Sequence, residues 1–319
     1  MKNPKIIAIL TADWHLQHKP PIWRSNEPDW YDAMTRPLGE ISALQIEYKC
    51  PVIVAGDIFT KWNSPPELIN FAIKNMPEEV YAIPGQHDLP NHNYQEIDRS
   101  AYNVLNRTGI VKDIPWRTED IEDDEYELVH NDMIVSGFSF GLPITRAPEE
   151  KNILKVAVVH DYVWCGNHKH PNAPEEKRVE RRSNKMINGK LYGYDVIVYG
   201  DNHKGFSTTV GKTRIWNCGT LMRRTSDEED YKPRVGLLYS DGHIEPHYLD
   251  ISKDKHLTKE EAEQFKSTEE IDTAEFAKEL RKLGDSASDF VEAMKQFWGS
   301  NKTKKAIQNI ILKAMENDK

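Results

Sequence analysis

Nowhere does this 319-residue chain carry an apolar run approaching the roughly 20 residues that a membrane helix needs, which excludes a helical membrane anchor within it. Cysteine is scarce. The three present, Cys50, Cys165 and Cys218, are widely spaced and form no Cys-x-x-Cys pair, which excludes a disulfide framework or a zinc ribbon and fits a reducing cytoplasm. Positive charge is short as well: 42 Lys and Arg against 51 Asp and Glu leave a formal charge of −9. Such a chain does not coat a polyanion unaided, although a metal centre or a partner subunit would supply positive charge locally. Internal repeats and low-complexity tracts are also missing. The early apolar stretch Ile6 to Leu10 is too short for a secretory signal and reads as a strand.

What is present is a series of short β-branched runs that end in polar residues: Ile6–Thr11, Val52–Ala55, Val80–Ile83, Met133–Phe138, Val156–His160 and Val196–Tyr199. Segments of helical character, Trp30–Tyr48 and Pro66–Asn75, separate the first three. This alternation predicts an α/β fold with an at least partly parallel sheet, whose functional groups gather at the carboxyl ends of strands. Thr213–Asn217 and Val235–Tyr239 follow shorter connections and predict antiparallel or mixed pairing in the second half. The acidic cluster Glu119–Glu125 reads as a solvated loop. His168–Lys190, with Lys177, Arg178, Arg181, Arg182, Lys185 and Lys190, reads either as an exposed insertion or as a phosphate-contacting flap. From Leu257 the pattern turns helical. Thr258 with Glu261, Asp272 with Glu275 and Ser286 with Asp289 have capping-box or closely related spacing, Gly284 marks a stop, and apolar residues from Phe276 to Ala314 follow the helical period.

Chemistry-bearing residues close these runs. Asp13-Trp14-His15 follows the first, with alternate residues that project to one side of an extended chain. Gly56-Asp57 follows the second, where glycine permits a tight turn and the carboxylate has two oxygens with which to bridge cations. Gly85-Gln86-His87-Asp88 follows the third and combines an amide carbonyl, an imidazole and a carboxylate suited to hold that imidazole. His160 closes Val156–Val159, and Gly200-Asp201-Asn202-His203 closes Val196–Tyr199. Any one of these has an ordinary reading as a loop or a core histidine. Five at the ends of five strand-like runs point to a metal-dependent active site.

The order Asp-x-His, Gly-Asp, Gly-x-His-Asp, His, Gly-x-x-His resembles the calcineurin-like metallophosphoesterase family. In detail it looks like the SbcD-type nuclease branch, which works with an SMC-like ATPase in double-strand-break processing. The resemblance covers about residues 5–250; the branch is supported by the overall layout, by Asn217-Cys218-Gly219-Thr220-Leu221 with Arg223 and Arg224, and by the helical tail. It implies a four-layer α/β/β/α sandwich over residues 1–250 and a small helical region, 251–319, that binds a partner. It also implies that Asp13, His15 and His203 hold a first metal, that Asp57 bridges, and that Gln86, His160 and Asp201 hold a second. His87 then contacts the phosphate and helps protonate the leaving group, with Asp88 orienting it. The family has Asn where Gln86 stands and His where Asp201 stands, so the second site is richer in hard oxygen donors, which favours manganese, with magnesium as the alternative, over zinc. The implied partners are DNA and the ATPase, with a second copy of the chain left open and no membrane. Arg223, Arg224 and Lys204 are candidates for substrate contact. Two competing readings are a phosphodiesterase or phosphatase for a non-DNA ester and a non-catalytic scaffold with a decayed second site.

Overall fold

The structure, a computed structural model, describes residues 3–115, 128–130, 133–182, 185–258 and 260–262. The chain divides into two compact units, Met1–His256 and Leu257–Lys319. In the first, β1 (Ile6–Thr11), β2 (Val52–Ala55), β3 (Val80–Ile83) and β4 (Val111–Asp113) run parallel. The connections include α1 (Trp30–Tyr48), α2 (Pro66–Asn75) and α3 (Ala101–Arg107). Antiparallel β13 (Arg234–Tyr239) and β14 (Ile244–Tyr248) extend this sheet beyond β1. The second sheet has the parallel set β6 (Met133–Phe138), β7 (Leu154–His160), β10 (Val196–Gly200) and β12 (Thr213–Asn217). Its antiparallel edges are β5 (Leu128–His130) and β11 (Phe206–Val210).

Period-two burial explains how these strands stack. In β2, Val52 and Val54 face the helices while Ile53 and Ala55 face the other sheet; in β7, Val156 and Val158 face inward while Ala157 and Val159 face out. Both faces are apolar, so the strands read as continuous hydrophobic runs. The expected α/β sandwich is therefore what the chain forms. Helices cover the outer face of the first sheet. Among the described residues, the outer face of the second is covered by 3-10 turns, loop and the short hairpin β8 (Met186–Ile187) and β9 (Lys190–Leu191), through Val163, Val179, Leu191 and Tyr192.

The first unit runs past the expected boundary at residue 250 because Arg24, nearly fully buried, binds the chain that follows. Its Nε donates to Lys255 O (3.0 Å), its Nη1 to Arg223 O (2.9 Å) and its Nη2 to Asp254 (3.0 Å) and Glu27. In the second unit, Thr258 Oγ1 accepts from Glu261 N and Glu261 Oε2 accepts from Thr258 N, the reciprocal cap expected from their spacing. The later capping pairs, Gly284, the apolar residues Phe276 to Ala314 and the acidic cluster Glu119–Glu125 lie outside the described residues. Among the described residues no helix is long and apolar enough to cross a membrane, and the three cysteines are free.

Candidate metal centre

The loops that leave β1, β2, β3, β7 and β10 meet at one edge of the sandwich. The β1 and β2 loops keep their strands' pairing: Asp13 N donates to Gly56 O, His15 N to Asp57 O and Leu16 N to Ile58 O. Asp13, His15, Asp57 and Asp201 nonetheless have φ of 50, 46, 55 and 82°, the left-handed region that non-glycine residues enter at a cost. Asp13 and His15 thus reach the same side by two backbone kinks and not by the extended alternation expected from their spacing. Two glycines are required by close approach. A Cβ on Gly56, whose φ is 91°, would lie 2.2 Å from His160 Nδ1, and one on Gly200 would lie 2.0 Å from Ala55 O.

Three groups of donors converge here: Asp13, His15 and His203; His15, Asp57 and His87; and Asp13, Asp57 and His160. In each, one ligand atom per residue lies within 4.8 Å of the others. The tautomers follow from partners that only accept. His160 Nδ1 is 2.7 Å from Ala55 O, and His87 Nδ1 is 3.0 Å from Thr60 O, so each carries its proton there and turns Nε2 toward the site. His203 Nδ1 likewise donates to Glu228 Oε1 at 3.2 Å. Its Nε2 then faces His15 Nε2 at 3.0 Å. Asp57 Oδ1 accepts from His87 N, while the buried Oδ2 has no hydrogen-bond partner. That oxygen lies 3.4 Å from His160 Nε2 and 3.7 Å from His15 Nε2.

Electrostatics describe a cluster that needs cations. Burial pushes the Asp13 carboxyl up to about 7, offset in part by His203 and His160. Burial also acts against charge on His160, but the Asp57 carboxylate, with Asp13 and Asp201, outweighs it and holds that imidazole at about 10. Burial, reinforced by Arg224, depresses His15 well below the usual histidine range. Gln86 Oε1, another acceptor, sits 2.9 Å from His160 Nε2, so a proton on this nitrogen occupies the meeting point of Gln86 Oε1 and Asp57 Oδ2. A divalent ion satisfies the same lone pairs without the proton. The unpartnered Asp57 oxygen and the Nε2-facing histidines therefore fit metal ions.

Several expected roles change. Asp88 does not orient His87: its Oδ1 accepts from Phe59 N and its Oδ2 from Ile58 N and Gly85 N, so this fully buried carboxyl locks the β2 and β3 loops together. The backbone carbonyl of Thr60 does the orienting instead. Asp201 lies outside the three donor groups and accepts from Gln86 Nε2 at 2.7 Å, while its own N–H donates to Asp13. Arg223 is not free for substrate, since it is buried against Asp254 and Glu229 O. Lys204, half-buried, donates from Nζ to Lys169 O at 3.4 Å. Arg224 does reach the centre: its guanidinium, mostly buried, donates to Thr60 Oγ1 at 3.4 Å, and its Nε has no partner.

Two contributors escaped sequence reasoning. Glu228 holds His203 and also accepts from Arg224 N (2.6 Å) and Thr225 N (3.1 Å). Its signal was the Thr225-x-x-Glu228 capping spacing, hidden in the acidic run Asp227–Asp230. Asn202 Nδ2 donates to Val163 O and His168 O, tying the β10 loop to the chain that leaves β7.

Against this geometry, the family profile described as calcineurin-like phosphoesterase matches residues 8–205. No curated protein matches the chain. Solved structures that resemble it include an archaeal phosphodiesterase, 13% identical, covering 76% of this chain and 99% of its own, with a TM-score of 0.38. The calcineurin-like phosphoesterase YfkN of Bacillus subtilis is 12% identical, over 82% of this chain and 95% of its own, with a TM-score of 0.42. The sulfate thiohydrolase SoxB of Thermus thermophilus is 12% identical, over 84% and 61%, with a TM-score of 0.45.

Proposed function

The chain belongs to the calcineurin-like phosphoesterase family, and on that premise we propose that it is the nuclease subunit of a DNA-processing pair, hydrolysing phosphodiester bonds in repair or recombination beside an SMC-like ATPase. Metal-dependent phosphoester hydrolysis is the chemistry of the family, which typically binds two divalent ions. The observation that carries the metal-dependent hydrolysis in this reading is the convergence of Nε2 and carboxylate lone pairs on the buried Asp57 Oδ2, 3.4 Å from His160 Nε2 and 3.7 Å from His15 Nε2. Asp13, His15 and His203 would hold one ion and His160 and Gln86 the other, with Asp57 between them and Asp201 beside Gln86. The oxygen-rich second set favours manganese or magnesium over zinc. Bound ions would supply an activated water and neutralise charge on the phosphate.

The chain's own side chains do the rest. His87, fixed through Nδ1 to Thr60 O, presents Nε2 to the site beside His15, their ring centroids 5.1 Å apart. With Nδ1–H held by Thr60 O, a second proton on Nε2, which makes the ring an imidazolium, is placed for delivery to the leaving oxygen and leaves the Nδ1–H imidazole behind. Arg224, held by Glu228 through its backbone and by Thr60 through its guanidinium, is placed to bind a non-bridging phosphate oxygen. DNA as substrate and the ATPase as partner of residues 251–319 rest on the motif layout. The formal charge of −9 supports a second reading, a phosphodiesterase for a small ester.

One experiment separates them: linear duplex DNA and bis(p-nitrophenyl) phosphate, each incubated with manganese, magnesium or EDTA. Metal-dependent DNA cleavage supports the nuclease. Turnover of the small ester alone supports the second reading. Inactivity on both in every metal leaves a scaffold and ends the proposal.

A further inference from the structure

A half-open cavity of about 610 Å³ lies between the chain that leaves β7 at His160 and residues Gly141 to Ile144, which follow β6. Four cationic side chains, Lys177, Arg181, Arg182 and Lys185, line it against two carboxylates, Asp161 and Glu176. This excess of positive charge stands out in a chain of formal charge −9. It also abuts the metal centre, because His160 bounds the cavity and Asp161 is the next residue.

The cavity is built on anchored chain. Trp164 N donates to Lys177 O and Val179 N to Trp164 O, while Trp164 Nε1 donates to Pro174 O at 2.8 Å. Val179 is fully buried against the second sheet. Lys177 Nζ lies 2.6 Å from Asp161 Oδ1, and Arg182 Nη2 lies 3.3 Å from Oδ2, so one carboxylate faces two cations. The Arg182 side chain is only 14% exposed, and most of its five N–H donors are not needed for that single contact. Lys185 Nζ stands 5.0 Å from the centroid of the Tyr192 ring, and Arg181 meets Glu175 at 2.9 Å on the outer rim. Cations that outnumber their carboxylates in a half-enclosed space favour a bound anion, and the forked guanidiniums suit a phosphate.

We propose that this cavity is the subsite for the phosphate next along a polynucleotide strand from the scissile one, held by Lys177, Arg181, Arg182 and Lys185. The assignment rests on the reading that the adjoining centre hydrolyses phosphodiesters, and it makes the substrate a chain of nucleotides, not a single ester. A short strand binds with its scissile phosphate at the metal centre and its neighbour in the cavity.

The test is fluorescence anisotropy of a fluorescein-labelled thymidine tetranucleotide with the full chain in EDTA, where no metal contributes. Arg181→Ala with Lys185→Ala should weaken binding at least tenfold. The double change should also flatten the plot of log affinity against log salt, whose slope is about −0.7 per contacted phosphate for single strands. The charge-preserving pair Arg181→Lys with Lys185→Arg should bind within about threefold of wild type. Equal binding by the alanine pair overturns the proposal, as does a wild-type slope shallower than one phosphate requires, a reading that needs no variant. Displacement of the strand by equimolar inorganic phosphate would mark a free-phosphate pocket and also overturn it. Hydrolysis by the wild-type chain is scored separately, on linear duplex DNA and on bis(p-nitrophenyl) phosphate with manganese or magnesium: inactivity on both sinks the hydrolase reading, whereas the binding result decides the subsite.

Discussion

The loops at the ends of β1, β2, β3 and β10 and the described residues 161–182 and 185–191 border the same centre but are held by different physics. In the first, the Asp13, Asp57 and Asp88 carboxylates are buried, Asp13, His15, Asp57 and Asp201 sit at positive φ, and the side chains are held by backbone groups, as Asp88 and His160 are, or by one another, as Gln86 and Asp201 are; Asp57 Oδ2 and His15 Nδ1, which lack a hydrogen-bond partner of normal geometry, belong to residues of the donor groups. In the second, beyond the buried anchors Val163, Trp164, Val179 and Leu191, the backbone bonds of Trp164 and the short β8–β9 hairpin, the contacts are partly exposed ion pairs and cation–π contacts such as Lys177 with Asp161 and Lys185 over Tyr192. Rigid strand ends suit chemistry, where an error of an ångström is costly. Irregular chain with surplus charge suits recognition. The contrast predicts that substitutions in the first region abolish function or fold, while those in the second shift binding and little else.

The largest effect should follow Asp57→Asn, which keeps the shape but removes the anionic oxygen between the donor groups. Turnover of bis(p-nitrophenyl) phosphate should fall by at least about 10³-fold while the melting temperature holds or rises, since a buried carboxylate is lost. Near-normal turnover would break the claim that these loops hold the chemistry. Gly200→Ala comes next: its Cβ would lie 2.0 Å from Ala55 O, backbone that has little room to move, so urea unfolding should show a loss on the order of 3–5 kcal/mol. A smaller effect belongs to Glu228→Gln, which weakens the acceptor holding His203 Nδ1. Metal affinity by calorimetry should drop roughly 10- to 100-fold. The smallest is expected in the second region, where Arg181→Ala removes an ion pair whose partners are both more than half exposed or nearly so. Stability should change by less than about 0.5 kcal/mol. A loss as large as that of Gly200→Ala would erase the distinction between the two regions.

The same distinction governs what was legible in the sequence. Strand runs such as Val52–Ala55 and Val196–Tyr199, and helices over Trp30–Tyr48 and Pro66–Asn75, are set by local periodicity and appear at the expected positions. The gathering of Asp13, His15, Asp57, His87, His160 and His203 was legible because each closes an apolar run and parallel strands bring those ends together. What was not legible depends on contacts far apart in sequence. Asp88 looked like a partner for His87 by adjacency, yet it binds backbone amides some 30 residues away. Arg223 and Arg224 look alike in sequence, but opposite orientations send one to Asp254 and the other to Thr60. Glu228 was hidden because one carboxylate in an acidic run gives no sign of its distant partner, His203.

The central claim is that the strand-end loops are arranged around two cations with Asp57 between them. Anomalous scattering from crystals of the full chain soaked in manganese tests it most directly. The account predicts two peaks, one reached by Asp13, His15 and His203 and the other by His160 and Gln86, both touching Asp57. A single peak that Asp57 does not touch, or no peak among these residues, would contradict it.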